Sequence, residues 1–131
     1  MTLPRLKTYA SDTGRIYEYF FVEKRPASIR SSAAMEYVYN VSSDRRSVFP
    51  VSIFVLVEAV ADWADHHGRP LDDRERYVAA RLALQRAFDE IEDLQHSGDP
   101  VTPSVRGFGP GGVELQVDAP RLEELLAPLD L

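Results

Sequence analysis

The run Ile16-Tyr17-Glu18-Tyr19-Phe20-Phe21-Val22 is aromatic or β-branched at every position but one, which predicts a β-strand. Strand alternation puts Tyr17, Tyr19 and Phe21 on one face and Ile16, Phe20 and Val22 on the other, with Glu18 the single polar member. An antiparallel strand with one wet face should alternate apolar and polar, and this one does not. The chain must therefore find cover for two faces. The simplest account is a central strand covered on both sides within the monomer. Otherwise the second face meets a second copy or another protein, or it forms a ligand surface.

The flanking sequence supplies the rest of a meander. Leu3 to Ala10 ends in Ser11-Asp12-Thr13-Gly14, a turn signal that predicts a hairpin with the strand from Arg15 to Glu23. Pro26 has no N–H to donate and is expected to end the pairing. Ser32 to Ser43 alternates, with Met35, Tyr37, Tyr39 and Val41 on one face and Glu36 and Asn40 on a wet one. Val48 to Val57 suits either a buried strand or a helix. Pro50 fits a first helical turn, and Ile53, Leu56, Val57, Val60 and Ala64 share a helical face, so a helix from about Pro50 is expected. Leu71 to His96 reads as a second helix, opened by a capping box of Asp72 and Glu75. A Pro/Gly-rich loop follows to Gly112, then a short strand Val113 to Val117 and a short helix Pro120 to Ala127 carrying Leu122, Leu125 and Leu126. Strands first and helices after define an α+β class: an N-terminal antiparallel β-meander backed by two helices, then a short strand and a short C-terminal helix. At 131 residues, one domain over 1–131 is expected.

Charge narrows the function. Fifteen Lys+Arg against twenty-one Asp+Glu leave a net charge of -6, which opposes general phosphate binding. The distribution is uneven: residues 1–46 hold eight basic against five acidic side chains, and 47–131 hold seven against sixteen. The absence of cysteine removes disulfides and thiolate chemistry. The apolar stretch from Val51 to Ala61 is too short to span a bilayer, and the first residues show no apolar leader, so a cytoplasmic protein is expected, with no membrane partner.

Cations interleaved with rings on a sheet are what single-stranded nucleic acid uses. Tyr17, Tyr19, Tyr37 and Tyr39, with Phe21 beside them and Arg15, Lys24, Arg25, Arg45 and Arg46 around them, are the candidate partner- or nucleic-acid-binding residues. Core and interface aromatics explain the same pattern more simply. Asp62, Asp65 and His66 share a helix side but read as a solvated face ending in dipole-compensating histidines. Gly107 to Gly112 matches G-x-G-x-x-G without the strand-before, helix-after setting that phosphate binding needs. Asp89, Glu90, Glu92 and Asp93 offer carboxylates, yet no nucleophile, base and orienting group come together. No cofactor or metal is expected, and the reading leans away from an enzyme. A small non-catalytic interaction or regulatory module, homodimeric, is the expectation. Single-stranded nucleic-acid binding through the basic aromatic sheet face is the alternative.

Overall fold

The computed structural model describes residues 6–91, 94 and 112–129. The element order is β1 (Lys7–Ala10), β2 (Ile16–Ile29), β3 (Ser32–Ser42), β4 (Phe49–Leu56), α1 (Val57–His67), α2 (Asp73–Glu90), β5 (Val113–Val117) and α3 (Ala119–Leu126), followed by a short 3-10 turn at Ala127–Leu129. The strands form one five-stranded sheet in the order β1-β2-β3-β4-β5. This is the α+β arrangement of an N-terminal meander, helices, a short strand and a short terminal helix that the residue pattern predicts. Among the described residues no helix is long and apolar enough to cross a membrane.

Four expectations need correction. The segment from Pro50 is a strand, and the helix starts only at Val57. Every residue of β4 except Pro50 is buried, so side chains pointing both ways lose water. Such a strand reads as a continuous apolar run and imitates a helical face. Pro26 does not end β2, which continues to Ile29. The paired register of β1 runs only from Lys7 with Tyr19 to Ala10 with Ile16. At Pro26 no described strand lies on the β1 side, the position where a missing N–H is tolerated. The wet face expected of β3 is not wet either: Glu36 is fully buried and Ala34 and Val38 nearly so. Last, α2 ends at Glu90 rather than His96, and His96 itself lies outside the described residues.

Capping chemistry behaves as the residues dictate. Glu75 N–H donates to Asp72 Oδ1 at 2.8 Å and Asp72 N–H donates to Glu75 Oε1 at 3.0 Å, the reciprocal box that satisfies orphan donors at the start of α2. Arg69 grips the same carboxylate at 2.8 and 2.9 Å. That grip and the Asp72 N–H hold the Glu75 carboxyl down to about 2. Gly68 closes α1 with φ 73° and donates to the Ala64 carbonyl at 2.8 Å, a left-handed cap that glycine adopts freely. Asp118 caps α3 by accepting from Arg121 N–H at 3.0 Å.

The described residues gather into two compact units. One comprises those of Met1–Glu23, Val38–Ser52 and Gln85–Glu114. Within it the end of α2 lies against the hairpin: Phe88 stacks on Tyr17 with centroids 4.1 Å apart and planes at 8°, and touches Tyr9 and Tyr19 at 5.7 Å. The other comprises Lys24–Tyr37, Ile53–Leu84 and the described part of Leu115–Leu131. There α1 packs on α3, burying Ala59 and Trp63 of the first and Leu122, Leu125 and Leu126 of the second. His67 stacks on Trp63 at 4.1 Å and contacts the Glu123 carboxylate at 2.9 and 3.0 Å.

The two-residue loop between β2 and β3 holds Arg30 at φ 49° and Ser31 at φ 69°. Both central residues left-handed is the type I′ hairpin condition, which Asn-Gly meets with far less strain. Replacing Arg30→Asn and Ser31→Gly together is expected to stabilise the fold by about 1 kcal/mol, read as a higher urea midpoint at unchanged slope.

Candidate functional site

The ten residues singled out by sequence are divided between the two units. In the first unit Tyr17, Tyr19 and Tyr39 are 1–4% exposed. Tyr19 meets the edge of Tyr39 at 6.0 Å, Phe21 meets it at 5.5 Å, and Gln85 Nε2 donates to the Tyr19 hydroxyl at 3.0 Å. These rings face α2 and one another. Arg15, Arg45 and Arg46 are exposed. In the second unit Tyr37 is buried 6.4 Å from Tyr77, and burial pushes its hydroxyl pKa up. Lys24 reaches Asp73 at 4.0 Å. Arg25 Nε donates to the buried Glu36 carboxylate at 3.0 Å, an ion pair whose removal from water demands that partner.

The other candidates also have positions. His66 Nδ1 lies 2.9 Å from the Asp62 carbonyl, closing its own helical turn. No group of three or more possible metal ligands occurs among the described residues. Asp89 accepts from the Tyr9 hydroxyl at 2.7 Å and from Asp12 N–H at 2.9 Å, tying the β1–β2 turn to α2. Glu92, Asp93 and the glycines from Gly107 to Gly111 lie outside the described residues.

Among the described residues of the first unit, the second face of the hairpin is partly open. Ile16 is 55% exposed and Val22 46%, with Glu18 and Phe20 half-buried between them. The described residues thus cover Ile16 and Val22 only in part. The printed register sets Thr8 opposite Glu18 and Ala10 opposite Ile16, and cross-strand partners share a face. Both are exposed. Leu6 and Val48, 57% and 59% exposed, flank a shallow hollow of about 160 Å³ whose walls also include Phe20, Asn40, Glu18 and Arg45. Arg45 Nε sits 3.2 Å from Glu18 Oε1 across that hollow. Soluble monomers rarely expose contiguous apolar patches beyond a few hundred Å².

Sequence reasoning missed Leu6 and Val48. Leu6 was legible in principle: extending the hairpin register one step beyond Lys7 sets it opposite Phe20. Val48 carries no such signal, because it lies in the connection between β3 and β4, where periodicity is silent.

With this geometry in view, comparison with known proteins adds no relative: no family model, curated protein or solved structure matches the chain.

The hydrogen bond to Asp89, aided by burial, raises the Tyr9 hydroxyl from 10.0 to about 12. A folded-state value above the unfolded one means the folded chain keeps this proton longer. The contribution is whole below pH 10 and is lost as pH rises toward 12. Tyr9→Phe is therefore expected to flatten the fall in stability between these pH values. Urea unfolding of both proteins across that range checks it, and an unchanged slope would refute the assignment.

Proposed function

We propose that this chain is a small, non-catalytic protein–protein interaction module that works as a homodimer, in the cytoplasm, through the open face of the β1–β2 hairpin. The observation that carries the reading is the exposure of Ile16 and Val22 on a strand whose opposite face is sealed by Phe88. Leu6, Phe20 and Val48 extend the apolar area around the hollow. A second copy suits this face because it bears one acid and one base side by side, Glu18 and Arg45. A two-fold rotation brings such a mixed patch onto its own complement. Two hairpin faces can then stack as sheets do, about 10 Å apart.

Single-stranded nucleic acid is the weaker reading. Its stacking rings, Tyr17, Tyr19, Tyr37 and Tyr39, are at most 4% exposed, so base stacking on them requires their cover to move. Among the described residues the open face offers one ring, Phe20, beside Arg45.

Sedimentation velocity over a concentration series should show a reversible monomer–dimer equilibrium. Ile16→Lys combined with Val22→Lys should shift it to monomer while leaving the melting temperature within a few degrees, since both side chains are already exposed. A wild-type monomer at near-millimolar concentration sinks the reading, as does a dimer indifferent to both lysines.

A further inference from the structure

Resting on that homodimer reading, we propose that Glu18 and Arg45 of one copy engage Arg45 and Glu18 of the other, closing a ring of four alternating charges that sets the two-fold axis. The β3–β4 loop is built to present the guanidinium. Arg45 takes a left-handed backbone at φ 64°, and its N–H donates to Ser42 Oγ at 2.9 Å. The next two amides, of Arg46 and Ser47, donate to Asp44 Oδ1 at 2.8 and 2.9 Å, so Asp44 is spent on the turn. A bulky residue in that conformation is strained, and such strain persists where the surrounding structure over-determines it. The loop leaves the Arg45 side chain 77% exposed with Glu18 its paired carboxylate.

Inside one copy the guanidinium is largely in water while the Glu18 carboxylate is 21% exposed, and a pair with one solvated partner contributes little. Between two copies the guanidinium loses its solvent as well. Each carboxylate then meets two guanidinium groups, one from each chain, and each guanidinium meets two carboxylates. A face of one sign would repel its own image, whereas this one attracts it. The apolar residues drive association, and the charges choose its orientation.

Charge reversal separates the two claims. Arg45→Glu makes the face acidic, and Glu18→Lys makes it basic. Each alone should weaken self-association by about a hundredfold, and a mixture of the two should form a heterodimer at least as tight as wild type. The double reversal should restore the homodimer. Arg45→Glu lies on an exposed loop and is expected to fold. If Glu18→Lys does not, loss of self-association in Arg45→Glu and weakening of the wild-type dimer by salt still decide the matter. A dimer broken by Ile16→Lys with Val22→Lys but indifferent to Arg45→Glu overturns the charge ring and leaves the open-face reading standing. A wild-type monomer overturns both.

Discussion

The contact between Phe88 and the hairpin tyrosines decides which way β2 faces. Tyr17 and Phe88 lie nearly parallel at 4.1 Å, and Tyr9 and Tyr19 border the same ring. Because side chains alternate along a strand, burying Tyr17 and Tyr19 turns Ile16, Glu18, Phe20 and Val22 the other way. A slip of one residue would exchange the two sets. The anchor is polar as well as aromatic: the hydroxyl of Tyr9 ends on Asp89 and that of Tyr19 on Gln85. The three residues Gln85, Phe88 and Asp89 thus read the hairpin from one side of α2, at the i, i+3 and i+4 spacing that a helix face permits.

Much of the architecture was legible in the residues, and the failures have a common origin. The hairpin turn, the capping box at Asp72 and Glu75 and the leucine stripe of α3 are local codes, written in residues that touch. The class of the fold follows from their order. What misled was burial on two sides. β2, apolar on both faces, leaves Ile16 and Val22 about half exposed, while the stretch read as helix from Pro50 is the doubly covered strand β4. Apolar residues at every position do not say which of them the fold will cover. The ten candidate residues fared likewise. A tyrosine under a helix and one awaiting a base are written with the same letter.

The buried ion pair shows another kind of specification. Glu36 loses all contact with water and meets Arg25 from β2. Such a pair adds little net stability against an apolar replacement, yet breaking it leaves a charge without solvent. It therefore penalises every register of β2 against β3 but one. The strained turn at Arg30 and Ser31 sits at the end of these strands, so the pair and the turn must agree on the same alignment.

Pro26 has a consequence for the chain in a crowded solution. Among the described residues the pairing of β1 with β2 reaches Lys7 opposite Tyr19, and β2 itself runs on to Ile29. Lys24, Arg25 and Pro26 lie in that continuation. The pyrrolidine ring interrupts the ladder an incoming strand would need. A proline inside β2 is thus a chemical obstacle to fibrous aggregation along this strand, whatever lies beside it.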